Sequence, residues 1–571
     1  MDKNTILAFV LIAIIIIIYP FFMPKQQPVV QKEQPVERVP DVSNDISQDR
    51  INVSDSVLSN SIVQPSLTAD TVPDSLKAYL PEEKEIRIET DLYSAVISTK
   101  NGAVKSWKAK HYKSREDTSK VIELINENTN NLNTEIYLKN GSVLKDVIYE
   151  ADKENIVLSG SGDTEELVLS CKDGSGKILY TKKLKFYGDK YSFDLSIDTT
   201  PIFSELSDAG AVKISWPDGV KYSEVSDGGK NLNREDYYRA TYCKNGDDFI
   251  EYDNNDDSEK VTGSIEWGAT RSKYFEVFFA AHDEKLSSFE NYPAYADAKA
   301  QFTSMGFSVG FDKGKTPVKD LLVYFGPLDY ETYKSYERGF ELTMNWGWNI
   351  VKPFSLGIYW TLKFLHKYID NYGLVIIILS LLVNTLVLPF TIKSYKSQAE
   401  MKRIQPELKI IKEKYKSDMQ KQQAATMELY KKHKVNPFGM CLPTLLPMPI
   451  LYGMFIVFGA TIEFRSAEFV WWINDLSLPE IMFTLPFSVP LYGANVGLLP
   501  IIMGVTMFFQ MKDSMTSGDP NQKMMMYFMP VFLTVLFNNL SSGLILYYTV
   551  GNFYRIVQQK LTPPMEPLQK K

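Results

Sequence analysis

The sequence contains little cysteine and little histidine. Its 571 residues include three cysteines, Cys171, Cys243 and Cys441, without a CxxC spacing, and four histidines, no two of which are close in sequence. Zinc sites need several such ligands at short spacings, so we predict no metal site and no cofactor. The cysteines leave two interpretations open: a Cys171–Cys243 disulfide in an oxidising compartment, or two buried free thiols.

Aromatic residues are absent from Lys25 to Ala78, where Pro, Gln, Ser, Asp and Val dominate. Such a segment cannot bury enough apolar surface to order itself, so residues 25–85 are predicted to be a disordered periplasmic linker. Before it, the 17-residue run Ile6–Phe22 is apolar and has no small-x-small cleavage site after it. We therefore interpret residues 1–24 as an uncleaved signal-anchor transmembrane helix with a cytoplasmic N-terminus, the alternative being a cleaved signal peptide.

Charge is unevenly distributed along the chain. Residues 25–350 hold 39 Lys and Arg against 55 Asp and Glu, whereas the remaining residues hold 23 against 14. Long apolar runs occur almost entirely outside the acidic part. This asymmetry indicates an acidic exported domain joined to a membrane domain with basic cytoplasmic loops.

The acidic part has the pattern of antiparallel β structure. Turn dipeptides such as Asn101-Gly102 and Asn140-Gly141 separate short segments, among them "KILYTKKLKFY" and "YSFDLSIDT", that alternate apolar and polar residues. We predict a large antiparallel β-sandwich over residues 86–344, with a helix near its end. An acidic stretch at 253–259 lacks the glycine of a calcium loop, so a solvated hairpin tip is favoured there.

The C-terminal part is predicted to be a membrane domain. Residues 345–371 mix aromatic and basic side chains, which favours an amphipathic helix in the membrane interface. Residues 372–562 are predicted to form a five-helix core, so that the signal anchor makes six transmembrane helices in all. The five core spans are predicted at residues 373–390, 438–459, 491–511, 524–540 and 544–557.

The segment after the first core span is strongly basic. Residues 393–434 carry 12 Lys and Arg against 5 Asp and Glu, so the positive-inside rule makes this segment cytoplasmic. Met401, Ile404, Leu408 and Ile411 recur at helical spacing, which predicts a helical hairpin of coiled-coil character. We call residues 393–434 the basic arm. With the basic arm in the cytoplasm, the predicted topology also places the C-terminal tail, residues 563–571, in the cytoplasm.

Four stretches of the membrane domain carry a resemblance to a known family. They are "LPFTIKSYKSQAEMKRIQPELKIIKEKY", "VNPFGMCLPTLLPMPILYGMF", "GVTMFFQMKDSMTSGDPNQKMMMYFMPVFLTVLF" and "SSGLILYYTVGNFYRIVQQ". In this order they resemble the YidC family of membrane protein insertases, and the acidic domain is similar to the periplasmic domain of its Gram-negative members. The resemblance implies a non-enzymatic insertase and chaperone of the inner membrane that works alone or with the Sec translocon.

The resemblance also implies a site. In the family a hydrophilic groove, open to cytoplasm and lipid, holds a positive residue on the first core span; the matching position here is Asn384, and no Lys or Arg lies between Tyr372 and Ile392. We therefore expect this protein to discriminate little between substrates by the charge of their hydrophilic tails. The alternative for Asn384 is a hydrogen bond to a neighbouring helix. Ser380, Tyr547 and Tyr548 match other groove positions, and the further polar candidates, chosen by spacing, are Thr385, Gln510, Thr549 and Asn552.

Partners are implied by the same resemblance. Nascent membrane proteins are the expected substrates in the lipid bilayer, with the Sec translocon beside the core. The basic arm and the tail are expected to contact ribosomes or targeting factors, with nucleic acid met only as ribosomal RNA. The candidate contact residues of the arm are Lys402, Arg403, Lys409, Lys412, Lys414 and Lys416.

Two rival functions remain at the level of sequence. A membrane-anchored periplasmic protein that binds or processes sugars would place its function in residues 86–344, within the β-sandwich. A polytopic transporter would need ionisable groups deep in several spans, and none is evident.

Overall fold

The fold is known from a computed structural model that describes most of the chain after residue 80. The described residues are 81–115, 117–126, 130–224, 239–245, 248–253, 256, 258–293, 305–416, 418–433, 448–489, 492–514 and 520–561. The predicted signal anchor, nearly all of the predicted linker and the predicted tail lie outside this range.

The acidic half is rich in β structure, as predicted. Its strands are β1 (Glu85–Glu89), β2 (Tyr93–Ser98), β3 (Val104–Lys113), β4 (Val121–Glu123), β5 (Asn133–Tyr137), β6 (Val143–Leu144), β7 (Glu150–Ala151), β8 (Asn155–Val157), β9 (Thr164–Lys172), β10 (Ile178–Tyr187), β11 (Ser192–Asp198), β12 (Val212–Trp216), β13 (Arg239–Asn245), β14 (Asp248–Asp253), β15 (Glu259–Ile265), β16 (Trp267–Arg271), β17 (Phe275–Ala281), β18 (Leu286–Pro293), β19 (Met305–Phe311) and β20 (Val318–Pro327). The two quoted alternating segments form β10 and β11, whose side chains alternate between buried and partly exposed.

These strands form three sheets. Their orders are β4-β3-β2-β1-β8, β14-β13-β16-β17-β20-β11-β10-β9-β7 and β15-β18-β19-β12-β5-β6. Among the strands that the structure describes, all pairs are antiparallel except β1 with β8, which are parallel. The expectation of a wholly antiparallel domain is therefore wrong at this one pair, because β8 reaches β1 through a long connection and not through a hairpin.

One aromatic core joins the three sheets. The Phe325 ring, on β20 of the nine-stranded sheet, lies 5.2 Å from Trp107 on β3 and 5.1 Å from Trp216 on β12, measured between ring centroids. All three side chains are fully buried. Truncating one such aromatic typically costs about 3–5 kcal/mol, so this contact is a main source of the domain's stability. Cys171 and Cys243 are also buried, and no disulfide joins them.

Helices dominate after residue 328. They are α1 (Tyr330–Ser335), α2 (Lys352–His366), α3 (Tyr372–Lys414), α4 (Met419–Lys432), α5 (Met448–Ala460), α6 (Leu498–Ser514), α7 (Pro520–Phe537) and α8 (Ser542–Leu561). Short 3₁₀ turns lie at Thr200–Glu205, Phe340–Thr343 and Ile462–Phe464, and two further strands, β21 (Phe483–Val489) and β22 (Gly493–Val496), pair between α5 and α6.

Helix α2 is amphipathic. Ile358, Tyr359 and Leu362 are buried against the rest of the chain, whereas Trp360 and Phe364 are more than half exposed. Its helical period places these two groups on opposite sides. The exposed side is apolar and aromatic, as expected of a helix in the membrane interface.

The described residues contain fewer full-length membrane spans than the sequence predicts. Within the described residues one helix, Tyr372–Lys393 of α3, is long and apolar enough to cross a membrane, and Met448–Ala460, Leu498–Lys512 and Met526–Phe537 are shorter apolar helices. The span predicted to begin at residue 491 begins at Leu498 instead, because Gly493–Val496 is a β-strand. Residues 438–447 of another predicted span lie outside the described part of the chain.

The first core span and the basic arm share one helix. Helix α3 continues for 43 residues through Pro389 and Pro406, and α4 turns back along its last part. Ile404 and Leu429 are buried between the two helices, and Leu408 and Ile411 pack against them. Helix α4 and the last part of α3 therefore pack together as two helices of a hairpin.

Candidate functional site: a polar cluster between helices α3 and α8

Helices α3 and α8 approach each other closely at small residues. The Ser380 hydroxyl on α3 is fully buried and donates to the carbonyl oxygen of Tyr547 on α8, with an oxygen–oxygen distance of 3.0 Å. One turn further along, Gly551 faces α3, and a Cβ atom there would lie 3.2 Å from the Asn384 side-chain nitrogen. The missing side chain at Gly551 leaves the room that Asn384 occupies.

Asn384 bonds to both helices. Its amide nitrogen donates to the Ser380 carbonyl oxygen at 2.8 Å, and its amide oxygen accepts from Nη1 of Arg555 at 3.2 Å. Nη2 of the same guanidinium donates to Oδ1 of Asn552 at 2.7 Å. We call Ser380, Asn384, Asn552 and Arg555 the polar cluster. It lies in a bundle whose other contacts are mostly apolar.

The cluster extends toward a third helix. The buried Asn552 amide nitrogen lies 3.4 Å from the Met503 carbonyl oxygen and 3.4 Å from the Thr506 hydroxyl, both on α6. Asn384 and Arg555 are partly exposed, whereas Ser380 and Asn552 are buried. The cluster therefore has a closed side between the helices and an open side formed by Asn384 and Arg555.

The other predicted groove residues differ in their exposure. Thr385 is exposed beside Asn384, and its hydroxyl lies 3.1 Å from the Tyr554 hydroxyl of α8. Thr549 is buried and bonds back to the Ile545 carbonyl of its own helix. The remaining three are Tyr547, which is buried, and Tyr548 and Gln510, which are partly exposed.

Arg555 is the residue that sequence reasoning missed. The expected place for a cation was the helix of Asn384, but the guanidinium comes from α8, 171 positions later in the chain. A sequence signal did exist: Tyr548, Asn552 and Arg555 recur at intervals of four and three, which places them on one helical face. A cation therefore contacts Asn384 although the first core span carries none.

The N-terminal end of α8 is joined to a buried ion cluster. Arg465, which follows α5, donates from Nε to Glu224 at 2.8 Å, and Arg115 contacts the same carboxylate as well as Asp475, at 2.5 Å. The side chains are at most 13% exposed. The Asp475 carbonyl in turn accepts from the Ser542 hydroxyl at the start of α8. The β-rich domain is therefore connected through this cluster to the helix that carries Arg555.

The basic arm presents its lysines to solvent. Of the predicted contact residues, Arg403 is partly exposed, and the structure does not describe the side chain of Lys402. The exposed members are Lys409, Lys412, Lys414 and Lys416. No cluster of three or more His, Cys, Asp or Glu side chains that could hold a metal occurs among the described residues.

Comparisons with known proteins cover both halves of the chain. A family model described as "60Kd inner membrane protein" matches residues 364–567, and a model described as "YidC periplasmic domain" matches residues 85–356. The curated protein "Membrane protein insertase YidC" of Chloroherpeton thalassium is 31% identical over 98% of this chain and 95% of its own length. Its namesake from Chlorobaculum parvum is 31% identical over 98% of this chain and 94% of its own length.

A solved structure, "Active YidC insertase crystal structure with the first transmembrane domain resolved", is also similar to this chain. It is 18% identical, with a TM-score of 0.36, and the match covers 84% of this chain and 93% of that one.

Proposed function

Because the chain belongs to the YidC family of membrane protein insertases, we propose that it inserts integral membrane proteins through a hydrophilic groove at the polar cluster. Family membership makes it an inner-membrane protein with a periplasmic β-rich domain. Its substrates are nascent membrane proteins, and it acts as a non-enzymatic insertase and chaperone. The observation that carries the proposal is the contact between Asn384 and Arg555 inside a mostly apolar bundle.

Insertion of this kind requires no covalent chemistry. One charged side chain at the centre of a membrane helix costs about 2.5–3.5 kcal/mol, so a hydrophilic tail needs polar partners on its way. The open side of the cluster supplies an amide and a guanidinium. The apolar segment of the substrate supplies the driving force as it enters lipid, at about 25 cal/mol per Å² of buried surface.

Arg555 makes the groove selective for acidic tails. Its Nη1 and Nη2 atoms are held by the oxygens of Asn384 and Asn552, at 3.2 and 2.7 Å. Amide oxygens are uncharged acceptors that orient the guanidinium. A guanidinium can also bind a carboxylate through two parallel hydrogen bonds. The charge that the family carries on the first core span is thus supplied from the last helix, and this replaces our expectation of little discrimination.

The test exchanges charges between the two helices. In proteoliposomes, Arg555→Gln is expected to reduce insertion of an acidic-tailed single-span substrate roughly fivefold, since one partly exposed ion pair contributes about 1 kcal/mol. Insertion of the same substrate with a neutral tail is expected to stay unchanged. The double variant Asn384→Arg with Arg555→Asn is expected to restore insertion of the acidic tail.

A matched control is Lys560→Gln, which removes an exposed charge from the same helix. It is expected to behave as the parent chain does. Equal losses for both tails in the Arg555→Gln variant, with no rescue by the exchange, would refute selection by charge and leave Arg555 with a purely structural role.

For the topology we propose six transmembrane helices with both termini in the cytoplasm. The proposed segments are the signal anchor 1–24, the linker 25–85, the periplasmic domain 86–344, the interfacial helix 345–371, the core 372–562 and the tail 563–571. The basic arm then faces the cytoplasm, in agreement with its charge.

We further propose that the arm contacts ribosomes or targeting factors and that the core works beside the Sec translocon when one is present. Support for the first contact comes from four exposed lysines, Lys409, Lys412, Lys414 and Lys416. Ribosomal RNA attracts such lysines through its phosphates, so co-sedimentation with ribosomes is expected to weaken steeply with added salt. Co-sedimentation that is indifferent to salt would contradict an electrostatic contact.

A further inference from the structure

The connection between α5 and α6 contains a hairpin with unusually apolar exposed side chains. We call residues 481–489 and 492–497, which include β21 and β22, the uncharged hairpin. Phe483 is 53% exposed and Phe487 is 62% exposed. The register shifts between Thr484 and Val489, so the intervening residues, among them Pro486, bulge away from β22.

The hairpin is rigidly attached to the helix bundle. Asn538, at the end of α7 and 1% exposed, donates to the carbonyl oxygens of Tyr492 and Asn495 at 3.2 and 2.7 Å. Its own amide oxygen accepts from the Gly497 nitrogen at 3.1 Å. Strand β22 is therefore the attached strand, and β21 is the outer one that presents the phenylalanines.

Charge is missing from the hairpin and from most of helix α6. From residue 481 to residue 511 the chain has no Asp, Glu, Lys, Arg or His. The edge strand β14 of the same chain differs, since its exposed Phe249 and Ile250 are flanked by Asp248 and Glu251. Edge strands exposed to water usually carry charges that prevent association, and the uncharged hairpin has none.

Its exposed face continues that of the neighbouring helix. Ile501, Val505 and Phe509 of α6 are 39–51% exposed and recur at intervals of four, so they form one apolar stripe directly after the hairpin. The apolar part of α6, Leu498–Lys512, has 15 residues and spans only about 22 Å at the helical rise. A bilayer has a hydrocarbon core of about 30 Å, so additional apolar surface is needed beyond the end of this helix.

The hairpin lies on the side of the β-rich domain. The same connection that carries it also carries Arg465 and Asp475, which bind Glu224 and Arg115 of that domain in the buried ion cluster. Because the family's β-rich domain is periplasmic, the hairpin reaches the outer leaflet and not the inner one.

We propose that the uncharged hairpin is immersed in the outer interfacial layer of the bilayer, with Phe483 and Phe487 directed into lipid. There it covers the outer end of α6 and extends the apolar surface that this short helix presents. The depth is limited, since a two-stranded hairpin keeps edge N–H and C=O groups that need water or headgroups as partners. Its occupant is therefore lipid at the boundary between headgroups and acyl chains.

The test measures the environment of the hairpin in the full chain. Phe483→Cys and Phe487→Cys variants, made with Cys441→Ser, are labelled with a nitroxide and reconstituted in phosphatidylethanolamine–phosphatidylglycerol vesicles. Native Cys171 and Cys243 are buried. The matched control is Val157→Cys, an equally apolar position that is 77% exposed on β8 of the β-rich domain. Collision rates with oxygen, which concentrates in lipid, and with a water-soluble nickel chelate are then compared.

Both hairpin labels are expected to collide with oxygen several-fold more often, and with the nickel chelate several-fold less often, than the label at position 157. Nickel accessibility equal to that of the control would overturn the proposal, because the hairpin would then face water. Protection from both reagents would also overturn it, because the occupant would then be protein, either a substrate strand or a second copy. Unchanged thermal unfolding of the labelled chains shows that the comparison concerns the native fold.

Discussion

Glu276 allows one prediction to be worked out in detail. This carboxyl group lies on β17, fully buried, and its Oε2 atom accepts from the Tyr333 hydroxyl at 2.7 Å and from the Thr343 hydroxyl at 2.9 Å. Burial is the largest influence and raises the pKa of Glu276 from its ordinary 4.5 to about 7; the two hydroxyls and Arg271 oppose that shift. The group therefore connects the nine-stranded sheet to the segment that leads to the membrane domain.

The sign of its effect on stability is set by linkage. Below pH 4.5 the carboxyl is protonated in both the folded and the unfolded chain, and its neutral form is buried without an electrostatic cost. Between pH 4.5 and about 7 the folded chain keeps the proton that the unfolded chain releases, so stability falls as pH rises. The pKa difference corresponds to about 3 kcal/mol, fully lost above pH 7.

Glu276→Gln keeps an oxygen for the two hydroxyls and cannot ionise. At pH 8 its free energy of unfolding is expected to exceed that of the parent by as much as about 3 kcal/mol, and at pH 4.5 the two are expected to be nearly equal. Unfolding of the β-rich part can be followed in the full chain by hydrogen exchange of β17 across this pH range. The control is Glu154→Gln, which removes an exposed carboxylate paired with Lys84 and is expected to change stability little.

A variant less stable than the parent at pH 8, with the same pH slope, would refute this reasoning. It would mean that the carboxylate is charged in the folded chain and is stabilised by its donors.

Three further predictions concern other parts of the molecule. Glu224→Gln removes the charge that two buried arginines share and is expected to cost about 3 kcal/mol, measured as faster hydrogen exchange in the connection between α5 and α6; unchanged exchange there would contradict the importance of the ion cluster. Gly551→Ala places a Cβ atom 3.2 Å from the Asn384 amide nitrogen. It is expected to raise the activation free energy for insertion of acidic-tailed substrates by about 1–2 kcal/mol, and insertion of neutral-tailed substrates is expected to stay unchanged. Burial raises the pKa of the Cys171 thiol to about 12, so alkylation at pH 8 is expected only after unfolding, and mass spectrometry of the native chain that finds rapid modification would contradict its burial.

The sequence predicted those elements whose pattern is local. Period-two alternation marked β10 and β11, and the recurrence of Ile404, Leu408 and Ile411 marked the helical hairpin, because one face of each element packs against a neighbour. Strand β22 falls within the span that the sequence predicts from residue 491. Hydropathy alone cannot distinguish a charge-free strand from a charge-free helix. Pro486 and Gly493 were the residues in the sequence that argue against a continuous helix here.

Contacts between distant segments were the harder part to predict. The parallel pairing of β1 with β8 has no turn signal in the sequence. Arg555 reaches Asn384 across most of the membrane domain, so its role depends on how α3 and α8 pack. That packing depends in turn on Ser380 and Gly551, which are small residues with many other possible roles in a sequence.

Helix α3 gives the molecule a mechanical link between its two ends. This 43-residue helix separates Asn384 from Lys414, at the tip of the basic arm, by about 45 Å at the helical rise, with Pro389 and Pro406 between them. A tilt of about 5° about the membrane-embedded end would displace the tip by about 4 Å at that length. Docking of a large particle on the tip would therefore also tilt the part of α3 that carries Asn384. A contact made by the basic arm could in this way change the geometry of the polar cluster directly.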